Sequence, residues 1–224
     1  MFVMLFKTPI VYSAPELNTS NMTVEAGNVT AFNLEGDSTS SVWQGLYGTV
    51  SGGVKLDNSG GQTMYDWNLV QAQGEIMATR FVIDDWSTIA CSTQNEIYWE
   101  EYRLNIANSS QEGINDTFQN TTHPSFDIGI TGLTGCRSTL THNYTDDEVV
   151  FWNVLLNIDE NITVFVGILE DGTIGFNNTA SDFQLLVPTN TTTEQAIYNL
   201  YLDKIFNKNE KNSLSIGREN IIRE

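Results

Sequence analysis

The chain has 224 residues, 40% of them hydrophobic and 17% charged, which supplies one sizeable core and rules out disorder along its whole length. Its 28 acids against 10 bases give a formal net charge of -18, and a surface of that sign repels nucleic-acid phosphates and anionic lipid headgroups. No nucleic-acid partner is therefore expected. The few bases are unevenly placed: Lys204, Lys208, Lys211, Arg218 and Arg223 lie near the end, while Lys55, Arg80, Arg103 and Arg137 are the only cations between Ala14 and Asp203.

In chain order, "MFVMLFKTPIVYSA" (1–14) reads as the remnant of a secretory signal peptide, an apolar run closing on small residues. No other stretch approaches the roughly 18 apolar residues of a membrane span, so no transmembrane segment is expected. A β-rich extracellular domain over 15–206 follows, then a charged tail over 207–224 too polar to pack.

Within the domain, strand signals dominate. "MTVEAGNVTAFNL" (22–34) alternates and is rich in β-branched residues. "VWQGLYGTVSG" (42–52) sets Trp43, Gly45, Tyr47 and Thr49 on one face and Val42, Leu46 and Val50 on the other. A hairpin is expected over 53–69, two apolar arms around Gly60 and Gly61, and a strand over 74–83. Residues 93–107 fit a short helix, with Ile97, Glu101 and Tyr102 about a turn apart. The clearest hairpin is "EVVFWNVLLNIDENITVFVGIL" (148–169), turning at Asp159 to Asn161, and "SDFQLLVP" (181–188) is a strand stopped by Pro188. Residues 191–206 satisfy both the strand and the helix period. The expected fold is mainly β: a single antiparallel β-sandwich-like domain with a short helical insertion.

Asn-x-Ser/Thr triplets stand at Asn18, Asn21, Asn28, Asn108, Asn115, Asn120, Asn143, Asn161, Asn177 and Asn190. Random placement of the chain's Asn, Ser and Thr would give about four, so ten point to N-glycosylation, which needs accessible loops or strand ends. Asn115 and Asn120 fall in one stretch, 113–126, expected to be an exposed, sugar-bearing connection. Cys91 and Cys136 are the only cysteines and read as one disulfide in an oxidising compartment, worth roughly 3–4 kcal/mol by loop-closure entropy. The rival is a zinc site with His123 and His142, but no metal-ligand spacing accompanies them.

Signatures of catalysis are lacking: no nucleophile elbow, P-loop, dinucleotide fingerprint or His-Glu-x-x-His stands in the chain. Two acid pairs beside tryptophans, Glu100 and Glu101 next to Trp99 and Asp84 and Asp85 next to Trp86, raise a glycosidase reading. Adjacent acids in a strand point to opposite faces, so neither pair makes a dyad by itself. Trp43, Tyr47, Tyr65 and Trp67 lie in consecutive expected strands; they form either a stacking row for sugar rings or core packing. No cofactor is expected. "DNSG" (57–60), "TDDE" (145–148) and "NIDEN" (157–161) carry oxygens that suit a structural calcium ion, without an EF-hand pattern.

The block "VWQGLYGTVSGGVKLDNSGGQTMYDWNL", with "GEIMATR" after it, "NTASDFQLLVPTN" at 178–190 and "IYNLYL" at 197–202, resembles a group of secreted archaeal cell-surface glycoproteins of uncharacterised function. Its marks are a W-Q-G-x-Y-G block, a glycine-turn hairpin and a Y-x-W strand, spread over roughly 40–206. The resemblance implies secretion, glycosylation and β architecture, favours a strand over 194–206, and supplies no catalytic residues. The short leader and the charged tail depart from it. The expected function is a secreted, N-glycosylated structural subunit of an archaeal surface coat or filament, extracellular or at the cell surface, assembling with itself or with envelope proteins and without catalysis. The alternative is an adhesin or carbohydrate-binding module that takes glycans on surface aromatics, and an acid-based hydrolase is a third reading.

Overall fold

The computed structural model describes residues 23–24, 28–32, 35–38, 40, 42–57, 63–68, 72–107, 110–142, 149–159, 162–176, 178–188 and 197–204. The leader 1–14 and the tail 207–224 lie outside them. In chain order the strands begin with β1 (Thr23–Val24), β2 (Asn28–Phe32), β3 (Glu35–Ser38), β4 (Trp43–Gly48), β5 (Val50–Asp57), β6 (Thr63–Asn68), β7 (Gly74–Thr79) and β8 (Ala90–Cys91). The helices α1 (Gln94–Arg103) and α2 (Ile114–Thr117) come next, then β9 (Phe126–Ile128), β10 (Thr131–Leu133) and β11 (Ser138–His142). The chain continues through β12 (Val149–Ile158), β13 (Ile162–Ile168), β14 (Thr173–Ile174), β15 (Ala180–Ser181), β16 (Phe183–Pro188) and β17 (Asn199–Lys204). The fold is mainly β and sandwich-like, with antiparallel sheets and a short helical insertion, as the strand periods imply.

At the centre is a six-stranded sheet ordered β11-β12-β13-β7-β17, with β8 pairing the far end of β12. Its central strands β12 and β13 are apolar at most positions because both faces are covered. Leu155, Phe165, Ile76 and Leu200 form one core with Trp43, Leu46, Phe183, Leu185 and Ile97. Their sequence neighbours Val154, Leu156, Val164, Val166, Met77 and Tyr201 form the other, closed by Trp86, Phe126, Ile128 and Leu133. The period of two thus assigns alternate residues to separate cores.

The sheet β16-β4-β3 packs over the first face, with β16 lying across β12 and β13. Gly167 permits that approach: a Cβ there would stand 3.1 Å from the Gln184 carbonyl and 3.2 Å from Ile76. Asn153, fully buried, accepts a hydrogen bond from the Leu186 amide at 2.8 Å and ties the two sheets. A third sheet, β1-β2-β5-β6, continues from β4.

Three expected elements are divided or shortened. The 42–52 strand breaks at Thr49, where the chain leaves one sheet for another; the Asp182 carboxylate accepts from the Val50 amide at 2.6 Å and fixes this corner. The 22–34 strand is two, β1 and β2. The 74–83 strand stops at Thr79, and the chain turns so that the Ile83 amide bonds the Tyr201 hydroxyl at 2.8 Å. The 148–169 hairpin turns at Asp159, in the left-handed region at φ 52. Residues 199–204 are strand, antiparallel to β7.

The cysteines form the disulfide Cys91–Cys136, with Cα atoms 4.9 Å apart. It joins the β8 strand to the end of the excursion that carries both helices and the β9–β10 hairpin.

Candidate binding surface on helix α1

Helix α1 starts on a capping box: the Glu96 side chain accepts from the Thr93 amide at 2.5 Å and the Thr93 hydroxyl accepts from the Glu96 amide. Asn105, at φ 55, follows its C-cap Leu104. The 3.6-residue period then sorts the side chains. Ile97, Glu100, Glu101 and Leu104 face inward and are buried, while Tyr98, Trp99 and Tyr102 face outward, 43%, 57% and 75% exposed. Trp99 and Tyr102, three residues apart, meet edge to face with centroids 6.0 Å apart. The expectation that put Tyr102 with Ile97 and Glu101 is corrected: Tyr102 is on the opposite face.

The inward acids hold the fold together. Glu100 accepts from Arg80 Nε at 2.9 Å and from Arg103 Nη1 at 3.3 Å, so two of the domain's few cations converge on one buried carboxylate. Burial, with the Glu100 charge second and Arg80 opposing, raises the Tyr198 hydroxyl well above its ordinary value; that hydroxyl donates to the Pro188 carbonyl at 2.6 Å. Glu101 reaches sideways and accepts from the Asn115 amide at 2.8 Å, capping α2 in place of a side chain at Gly113. A Cβ on Gly113 would stand 2.8 Å from Glu101 Oε1, so the glycine makes room for the carboxylate. Burial raises the Glu101 carboxyl above the usual range, and the amides of Asn115 and Ile114 pull the other way.

Glu100 and Glu101 diverge from adjacent helical positions toward different partners, the arginines and the Asn115 amide. Asp84 and Asp85 are exposed; Asp85 accepts from the Ser87 amide at 2.8 Å and from its hydroxyl at 2.9 Å. Trp86 is 4% exposed and packs edge-on against Tyr201.

Of the two readings of the aromatic row, core packing holds for its first half. Trp43 is 5% exposed, packs against Phe118 and Phe165 and donates Nε1–H to the Glu112 carbonyl at 2.8 Å. Tyr47 is likewise buried, edge-on to Phe176. Tyr65 and Trp67 are on β6, in a different sheet from β4, so the four do not share one flat face; the side chains of those two lie outside the described residues.

His123 receives the Cys136 amide on Nε2 at 3.0 Å and therefore donates Nδ1–H to the Pro124 carbonyl at 2.8 Å, which commits both ring nitrogens. Of the sequons, Asn115 begins the second position of α2, Asn120 bridges Ser138, and Asn28 opens β2; the other seven fall outside the described residues. The 113–126 stretch is less loose than its polarity implies, because Ile114 and Phe118 are fully buried. Of the acidic turns, Asp57 ends β5 and Asp159 accepts from the Thr88 hydroxyl at 2.7 Å, while 58–60 and 145–148 lie outside the described residues. Among the described residues no group of three or more His, Cys, Asp or Glu side chains is arranged to hold a metal ion.

A cluster unmarked by the sequence reading sits at the sheet edge. Glu75 on β7 lies directly opposite Asp203 on β17, with Asp127 of β9 nearby. It is 2% exposed, and its Oε2 finds no hydrogen-bond partner among the described residues. Burial first, then the charges of Asp203 and Asp127, push its carboxyl up to about 8. Asp203 itself accepts from the Gly129 amide at 3.3 Å. Compared with known proteins, the chain matches no protein-family model, no curated protein and no solved structure.

Proposed function

We propose that the protein is a secreted, N-glycosylated, non-catalytic subunit of an archaeal surface coat or filament, and that the outer face of α1 is a contact surface in the assembly. The observation that carries this reading is the exposed trio Tyr98, Trp99 and Tyr102 on one side of a rigid helix. Exposed Trp and Tyr together are costly on a monomer and are the residues enriched at contact centres. The disulfide suits an oxidising compartment, the sequon density suits an envelope, and the acids of α1 are engaged in ion pairs and a helix cap. Light scattering and electron microscopy on concentrated protein test it: ordered sheets or filaments that are lost in Trp99→Ser with Tyr102→Ser are expected. A wild-type protein that stays monomeric at every concentration would refute it.

A second reading, glycan binding by the same face, is favoured by its chemistry. Three aromatic rings are presented, and Arg103 beside them is already paired with Glu100, which suits the apolar face of a neutral sugar. A glycan screen that gives binding by the monomer, abolished in Trp99→Ala, selects this reading over the coat.

A further inference from the structure

We infer that, of the two neighbouring sequons, Asn120 carries the glycan in the secreted protein, whereas Asn115 stays bare and joins α1 to α2. The inference rests on the glycosylation reading above and goes beyond it by assigning the site.

The two asparagines differ in what their amides do. Asn115 is half-buried at the start of α2, and its backbone N–H is bonded to the Glu101 carboxylate at 2.8 Å. Its Oδ1 accepts from Gln94 Nε2 at 2.6 Å, and Gln94 Oε1 in turn accepts from Arg137 Nη2. Arg137 also donates to the Phe118 carbonyl at 3.3 Å, so the chain of bonds runs from α1 through Asn115 and closes on the far end of α2. The Asn115 Nδ2 that a sugar would occupy donates to Asp116 at 3.3 Å. Thr117, the third residue of that triplet, is wound into the helix by its own amide, bonded to the Gly113 carbonyl at 2.9 Å. A sugar-bearing amide needs an open, non-helical presentation, and Asn115 offers neither condition.

Asn120 offers both. It is exposed in an irregular segment where residues 119–122 are all exposed. Its backbone is pinned by two bonds to Ser138, at 3.0 and 2.8 Å, while no bond of the network above uses its side chain. A glycan there hangs from a fixed point of the surface and displaces nothing.

The transfer itself needs a donor from the host: an oligosaccharide linked through C1 to a polyprenyl phosphate or diphosphate. The Asn120 Nδ2–C1 bond forms, the C1–O bond to the lipid phosphate breaks, the phosphate leaves with the bonding pair, and Nδ2 gives up one proton to the transferase.

The test is glycopeptide mass spectrometry on the full chain secreted from an N-glycosylating host. After reduction, trypsin releases 104–137, and electron-transfer fragmentation locates the sugar along it. A glycan on Asn120 with Asn115 unmodified is the expected result. In intact mass, Thr122→Ala should lose one glycan and Thr117→Ala none. A glycan on Asn115, or a bare Asn120 while other sequons are occupied, overturns the inference. All ten sequons bare would instead overturn the glycosylation reading on which it rests.

Discussion

Replacing Glu75 by glutamine should stabilise the protein by an amount that grows with pH. Glu75 is a carboxyl whose folded value, about 8, stands above the ordinary 4.5, so the folded state holds a proton that the unfolded state has released. A raised carboxyl destabilises the fold as pH rises through the window from 4.5 to about 8, and costs nothing below it. At pH 7 the gap to 4.5 corresponds to about 3 kcal/mol, at pH 5 to less than about 1 kcal/mol, and above pH 8 the cost levels near about 5 kcal/mol. Glutamine keeps the shape and cannot ionise, and the Oε2 it replaces makes no bond among the described residues. Urea unfolding of wild type and Glu75→Gln at pH 5 and pH 7 reads the effect as a midpoint shift at constant slope. An equal shift at the two pH values, or a variant less stable than wild type at pH 7, would refute the reasoning, because only a pH-dependent gain identifies a proton held by the fold.

Removing the disulfide with Cys91→Ser and Cys136→Ser should cost about 4 kcal/mol for the loop of separation 45, measured by denaturant unfolding against the oxidised wild type. Gly113→Ala places a methyl against Glu101 and should cost about 1–3 kcal/mol, with the loss reduced in a Glu101→Ala background. Trp43→Ala should cost about 3–5 kcal/mol in thermal or urea unfolding and Trp99→Ala within about 0.5 kcal/mol, because one ring fills a core and the other leaves solvent.

How much could be read beforehand depended on whether the determinant was local. The 148–169 hairpin was legible because β12 and β13 are long, apolar and joined by a three-residue turn. So was the disulfide, once two cysteines stood in a chain dense in sequons. The short helix was visible in spacing, but its orientation was not, since Ile97, Glu101 and Tyr102 fit one face only until Tyr98, Trp99 and Leu104 are added. Trp43 stayed open between stacking row and core packing because alternation marks a strand face without saying what covers it, and β4 is buried on both sides. The Glu75 cluster was illegible for a different reason. Its members come from strands far apart in the chain, and only the β7–β17 register sets Glu75 opposite Asp203.

The aromatic face and the buried acids of α1 belong to one device. Three exposed rings would be loosely presented on an isolated ten-residue helix, which is marginal in water. Here the capping box, two arginines on Glu100 and the Glu101 bond to α2 fix its orientation from beneath. Glu100→Gln leaves the outer face untouched but removes the charge that gathers Arg80 and Arg103, and breaking such a buried pair from one side costs about 3–5 kcal/mol when both partners are enclosed. Arg80 and Arg103 keep 21% and 28% of their side-chain surface, so about 2–3 kcal/mol is expected here. If contact is made by a preorganised face, the same substitution should also weaken assembly, or binding of a saccharide, although Glu100 is only 2% exposed and lies on the inner side of the helix. Sedimentation or light scattering of folded Glu100→Gln protein, at a temperature well below its unfolding, separates the two effects. Unchanged association alongside lost stability would mean that the rings act independently of the scaffold under them.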